Sequence, residues 1–343
     1  MPTSLETPVT LLNGGMPTPW MPHRTRALAA LLRATSGPVD AMTPRRLAMT
    51  RRAVPVHRPV TWVIGRPAKG VTTTTRRVTV RDGYRVGVRV HRPSFVEGVL
   101  PLVMHFHGGG FVMGHPTIFD PVCTRIAEVA QAVVVSVGYR MAPEHRAPAA
   151  INDCLDVTAW ALRPDSGLRI DPERVALTGD SAGGNLAAAV GQTLVGEGFT
   201  GLRHLGLVYP APDLTEREAE VVLGQDVEEP PRGFPVITPD MLRAFRSLYL
   251  GDSDGSDPLV SPALGSLAGL PPTLIQTAEL DPLRSDGEAF AEALREAGVE
   301  VRQTRYRGSP HGYLNLPGLT AAGGPALEEL SSEIARYLRP EAR

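Results

Sequence analysis

The stretch VALTGDSAGGNL, residues 175–186, decides the fold of this 343-residue chain. Before it runs an apolar, β-branched segment ending at Thr178, and after it Leu186, Ala187, Ala188, Ala189 and Val190 form a helix-favouring run. Strand, then Gly179-Asp180-Ser181-Ala182-Gly183, then helix is the G-x-S-x-G nucleophile-elbow pattern, in which small residues flanking the serine let the chain reverse tightly. Ser181 is thereby expected at the carboxyl end of a central strand and the amino end of a helix. The partial positive charge of that helix end favours an alkoxide and an oxyanion. A glycine-rich turn that packs, or that holds a phosphate, is the alternative reading of the pentapeptide alone.

Outward from the elbow, strands and helices alternate. Upstream, Val71–Val80 and Tyr84–His91 flank an Asp82-Gly83 turn signal and read as an antiparallel hairpin. An apolar strand over Leu102–Phe106 runs into His107-Gly108-Gly109-Gly110-Phe111, where consecutive glycines leave several backbone N–H groups free to face one point. A helix over Pro121–Ala130, a buried strand over Ala132–Val137, a proline-rich loop and a helix over Ile151–Leu162 follow. Downstream come a strand over His204–Tyr209, a strand over Thr273–Ala278, a helix over Ser285–Ala297, a strand over Val299–Tyr306 and a last helix over Pro325–Leu338. This spacing predicts an α/β fold with a doubly wound, mostly parallel sheet, an antiparallel start and a small helical cap.

Two regions break the pattern. Residues 1–60 carry nine prolines, with short helices expected over Thr25–Ala34, where Leu28, Leu31 and Leu32 share a face, and over Pro44–Thr50. Such a segment cannot bury a core of its own and should lie across the main domain at 61–343. Residues 215–250 are acidic and proline-broken before a helix starting at Pro239, and read as a cap insertion.

Composition narrows the function. A net charge of -1 gives no basic field for nucleic acid and no polybasic membrane patch. Lys69 is the single lysine, and the arginines are spread over the whole length, so they mark no phosphate site. Cys123 and Cys154 fall in expected helices among apolar neighbours and suggest small core residues rather than a disulfide framework or zinc spacing. The amino terminus lacks the basic start and apolar run of a signal peptide, and no stretch approaches the ~18 apolar residues of a membrane span, so a cytoplasmic protein without stable membrane association is expected.

A serine hydroxyl needs a base within reach and a carboxylate to orient that base. In a doubly wound hydrolase the order is serine, acid, histidine. His204 begins a strand at the wrong end of the sheet. His311, in Gly308-Ser-Pro-His-Gly-Tyr313, follows the last strand, on the side where loops after strand ends form an active face. The candidate acids between them are Asp213, Asp226, Asp240, Asp252, Asp254, Asp257, Glu279, Asp281 and Asp286. Asp281 is favoured by its place just after a strand, with Glu279 and Asp286 as fallbacks. Asp252, Asp254 and Asp257 read as solvated turn residues.

These pieces together resemble the hormone-sensitive lipase family of α/β-hydrolases, the bacterial esterase group with HGGG and GDSAG motifs. The matching segments are 107–110, Tyr139–His145, 179–185, Ser261-Pro262, Leu270–Pro272, 279–284 and His311-Gly312, in order across most of the chain. The resemblance implies Ser181 as nucleophile, Asp281 as acid, His311 as base, and an oxyanion hole of the N–H groups of Gly108, Gly109 and Ala182, with Gly110 able to replace one glycine. The Tyr139–His145 loop is read as support beneath the site. Residues 1–60 and 216–229 match nothing specific. The implied activity is a serine carboxylesterase for short- to medium-chain esters, with no cofactor and no metal. Amide, carbamate or lactone hydrolysis by the same triad, and a non-catalytic receptor on this scaffold, are the alternatives. The expected partner is a small-molecule ester; a homodimer is left open.

Overall fold

The computed structural model describes residues 43–53, 60–215 and 237–339, and the backbone of 10–13. The expected helix at Thr25–Ala34, the acid Asp226 and most of the acidic cap stretch lie outside the described residues. Among the described residues nine strands form one sheet: β1 (Thr10–Asn13), β2 (Val71–Thr79), β3 (Arg85–Pro93), β4 (Leu100–Phe106), β5 (Val133–Gly138), β6 (Ile170–Asp180), β7 (Leu202–Val208), β8 (Thr273–Leu280) and β9 (Val301–Pro310). Their order is β1-β9-β8-β7-β6-β4-β5-β3-β2. β3 pairs antiparallel with both β2 and β5, and every other neighbouring pair is parallel.

The helices are α1 (Pro44–Thr50), α2 (Val60–Ile64), α3 (Asp120–Ala130), α4 (Ala149–Leu162), α5 (Ala182–Gly196), α6 (Pro239–Leu250), α7 (Arg284–Glu296) and α8 (Gly323–Leu338). All seven residues of β4 are buried because both faces of the sheet are covered. Leu102, Met104 and Phe106 point into a core shared with α4, α5 and α7. Val103 points the other way, into a core shared with Val122 and Ile126 of α3 and Leu330, Ile334 and Leu338 of α8. A side-chain period of two thus serves two cores at once, which is why this strand reads as an unbroken apolar run.

Two differences from the sequence reading stand out. Thr10–Asn13, within the proline-rich amino-terminal region where the sequence predicts only short helices, is a strand that adds to the edge of β9 in parallel register. β8 runs to Leu280 and β9 to Pro310, past a register shift between Ala278 and Leu280, so Asp281 and His311 each directly follow a strand end. Short apolar runs locate a strand, but its last pairs depend on a partner far away in sequence. At the amino-terminal side, α1 places Leu47 in the main core, and the Arg51 guanidinium after it donates to the carbonyls of Val112 (2.7 Å) and Ala142.

Candidate active site

The carboxyl ends of β4, β6, β8 and β9 all open on one face, and each delivers a residue singled out above. At the end of β6, Ser181 takes φ 55° and ψ -121°, a strained conformation for a residue with a Cβ. It is held there because the Ser181 N–H donates to the Val208 carbonyl at 2.9 Å, while the Ser181 carbonyl accepts from Asn185 N–H at 3.1 Å. The turn closes against β4: a Cβ on Gly183 would stand 1.9 Å from the Phe106 carbonyl oxygen. Only glycine permits that approach, and the tightness aims the Ser181 hydroxyl off the end of the sheet.

His311, immediately after β9, meets Ser181 across 130 residues of sequence, its Nε2 standing 2.9 Å from the serine Oγ. Its Nδ1 lies 2.6 Å from Oδ2 of Asp281. A carboxylate only accepts, so Nδ1 carries the proton and donates to Asp281, leaving Nε2 to accept from the Ser181 hydroxyl. The other Asp281 oxygen accepts the Leu283 N–H at 2.9 Å. All three residues are buried.

The remaining candidates sit elsewhere. Glu279 accepts the Gly308 N–H at 2.7 Å and faces Arg307, and Asp286 lies in the first turn of α7. Asp213, Asp254 and Asp257 accept bonds from residues two further on, as turn residues do. Asp240 pairs with Arg243 one helical turn on. His204 is buried in β7 and stacks on Tyr337 with ring centroids 4.9 Å apart.

The glycine loop after β4 departs from the expectation at one position. The Gly108 N–H donates to Oδ1 of Asp180 at 2.8 Å, so it is occupied and cannot serve as an oxyanion donor. The N–H groups of Gly109 and Gly110 donate to no acceptor among the described residues, and Gly109 and Gly110 both have positive φ. The Ala182 N–H, at the first position of α5, has no carbonyl one turn back within the helix. Beneath the loop, His107 is buried and stacks on Tyr139 at 4.4 Å, and the Tyr139 hydroxyl donates to the His107 carbonyl at 2.7 Å. Burial holds the His107 imidazole down at about 4, so the ring is neutral. Tyr139 therefore supports the loop from below. Arg140 beside it forms ion pairs with Asp153 and Asp82.

Three polar residues given no role from sequence also shape the site. Asn185, one turn into α5, donates to the carbonyls of Ala211 (2.8 Å) and Val260 (2.7 Å). Ser261 accepts the Leu214 N–H at 2.8 Å and donates to the Gly255 carbonyl at 2.6 Å. Together they tie the segments at 211–214 and 255–260 to each other and to the elbow helix. Asn315, four residues after His311, donates to Oδ2 of Asp180 at 2.9 Å. Above the glycine loop, α6 lays the Phe245 ring against Gly110 and stacks Tyr249 on Phe111 with centroids 3.9 Å apart.

A family model described as the alpha/beta hydrolase fold matches residues 103–315. The chain is similar to carboxylesterase NlhH of Mycobacterium tuberculosis, 38% identical over 258 residues that cover 73% of this chain and 79% of the relative. It is similar to an ethyl acetate hydrolase of Pseudomonas putida, 31% identical over 76% of this chain and 81% of the relative. Among solved structures it is similar to an esterase of the archaeon Pyrobaculum calidifontis, with a TM-score of 0.77 and 31% identity over 90% of this chain and 97% of that one. The match spans the glycine loop, the elbow and the His311 loop alike, and on it the chain belongs to the α/β-hydrolase-fold family, in the group of esterases related to hormone-sensitive lipase.

Proposed function

We propose that the protein is a serine carboxylesterase that hydrolyses short- to medium-chain carboxylic esters through an acyl-enzyme. The observation that carries this reading is the unbroken line of contacts Ser181–His311–Asp281, 2.9 Å and 2.6 Å, at the end of the sheet. Ser181 Oγ attacks the ester carbonyl carbon while His311 Nε2 takes its proton. The C–O bond to the alcohol breaks, and the leaving oxygen receives that proton. Asp281 keeps the imidazole in the required tautomer and stabilises its charged form. Water, activated by the same Nε2, then attacks the acyl-enzyme and frees the acid and Ser181.

The oxyanion of each tetrahedral intermediate is held in this reading by the N–H groups of Gly109, Gly110 and Ala182. Gly108 is replaced by Gly110 because its own N–H lies on Asp180.

The preference for modest acyl chains is supported by the closeness of α6 to the glycine loop. In this reading residues 1–60 and about 215–250 cover the 61–343 domain, and Phe245 rests on Gly110 beside the position of the reacting carbonyl. The named activity of the Pseudomonas relative, on ethyl acetate, agrees with a small acyl group. Extra methylenes add up to ~0.8 kcal/mol each only while apolar wall remains to receive them.

Fluorophosphonate labelling with peptide mapping tests the nucleophile, and Ser181→Ala should lose turnover by about a million-fold while keeping the fold. Label on another residue, or a tenth of activity retained by Ser181→Ala, would sink the assignment. A graded p-nitrophenyl ester series tests the acyl preference, and a maximum on long-chain emulsions would contradict it.

A further inference from the structure

The oxyanion loop and the base loop leave strands that are not neighbours. β4 and β9 are separated in the sheet by β6, β7 and β8, so the two strands are ~19 Å apart at four strand spacings. No ladder hydrogen bond can fix one loop against the other. One side chain reaches both: Asp180, the residue before Ser181, accepts the Gly108 N–H on Oδ1 at 2.8 Å and the Asn315 amide on Oδ2 at 2.9 Å.

Each partner is suited to this bridge. A Cβ on Gly108 would stand 2.5 Å from Asp180 Oδ2, so glycine is what lets the carboxyl lie along the loop. Asn315 turns its nitrogen toward Asp180, and its own buried Oδ1 accepts no hydrogen bond among the described residues. Asp180 itself is buried, and a buried carboxyl is costly unless its oxygens are bonded. Here each oxygen has one donor. The desolvation nevertheless lifts this carboxyl to about 6, against the lowering bonds from Gly108 and Asn315.

We propose that Asp180 is a positioning residue for the esterase reaction: its carboxyl ties Gly108 to Asn315 and thereby sets the oxyanion donors at Gly109 and Gly110 against the base at His311. The proposal rests on the triad reading above. Asp180 bonds to neither Ser181 nor His311, and it acts through the two loops.

The test is steady-state kinetics on full-length variants with p-nitrophenyl butyrate, each checked for cooperative thermal melting. Asp180→Ala frees both loops and should lower kcat roughly a hundredfold, the scale of a lost oxyanion donor, with KM within about threefold. Asn315→Ala frees only the base loop and should fall between Asp180→Ala and wild type. Asp180→Asn should lose less than about tenfold, because its amide oxygen still accepts from Gly108 while its nitrogen donates to Asn315 Oδ1 after that amide turns over. Asn315→Asp sets two carboxylates face to face and should be severe. Combining it with Asp180→Asn exchanges donor and acceptor across the same bond and should restore activity to the level of Asp180→Asn.

A kcat for Asp180→Ala within twofold of wild type, a loss confined to KM, or a double variant no better than Asn315→Asp would each overturn the proposal. If Asp180→Ala does not fold, Asn315→Ala and the exchange pair decide alone. Fluorophosphonate mapping on the same samples separates the two levels. Label away from Ser181 removes the triad reading, whereas label on Ser181 without the kinetic pattern removes only the role of Asp180.

Discussion

The turn after β6 and the turn after β4 both press glycine against the end of the sheet, yet what the glycines meet differs. In the elbow, a Cβ on Gly183 would run into the Phe106 backbone, 1.9 Å from its carbonyl oxygen. In the glycine loop, a Cβ on Gly108 would first meet the Asp180 side chain, 2.5 Å from Oδ2. At Gly183 every near atom is backbone and cannot give way without moving β4 itself, whereas at Gly108 the nearest is a carboxyl that can rotate at the loss of its hydrogen bonds, and the Asp180 carbonyl oxygen at 2.8 Å is the milder backbone obstacle. The elbow is therefore rigid by main-chain closure, and the glycine loop is held by a side chain that can be tuned. Two glycine-rich stretches at adjacent strand ends thus serve different ends.

Substitution can break that comparison. Gly183→Ala should be the more damaging change, abolishing folding or cutting activity by more than about a thousandfold, because displacing β4 belongs to the class of core strain that costs above ~4 kcal/mol. Gly108→Ala should fold and lose about 1–3 kcal/mol of stability, the cost of leaving a buried donor and a carboxylate oxygen without each other. Chemical denaturation and esterase assays on the two variants compare them directly. Equal damage at the two positions would remove the distinction.

A smaller effect comes from pH. The Asp180 carboxyl stands at about 6, raised from 3.8 chiefly by burial, against the lowering bonds from Gly108 and Asn315. It is faced by His311 after β9, Tyr209 after β7, Tyr139 after β5 and Cys123 on α3. The folded state therefore holds this proton more tightly than the unfolded chain does. The resulting stabilisation is fully present below the unfolded value and is lost as pH rises through about 6. Relative to Asp180→Asn, which has no such proton, the wild type should lose stability on the order of 1 kcal/mol between about pH 5 and about pH 7.5. Urea midpoints of both proteins at the two pH values read this out, and a pH-independent difference would show that Asp180 is not strained by burial.

How far the sequence carries differs between the same two turns. The elbow was legible because its determinants are contiguous: an apolar strand, small residues around Ser181 and a helix-forming run lie within 16 residues. His311 and Asp281 were legible by position, since each follows an apolar strand, although the paired ends of β8 and β9 were not. The state of the Gly108 N–H was hidden, because it depends on a side chain 72 residues away. Asn315 and Asn185 were hidden for the same reason: an asparagine in a loop or in a helix carries no local sign of the carbonyl or carboxylate it will meet. The strand at Thr10–Asn13 is four residues among prolines, and only the open edge of β9 makes it a strand.

The most direct test of the central claim is to catch the covalent intermediate. Wild-type protein mixed with excess p-nitrophenyl butyrate, quenched in acid within the first turnovers and digested, should yield the peptide containing Ser181 heavier by one butyryl group, in step with the burst of p-nitrophenol. The adduct should be absent from Ser181→Ala. A burst with no adduct, or an acyl group on any other residue, would contradict the account.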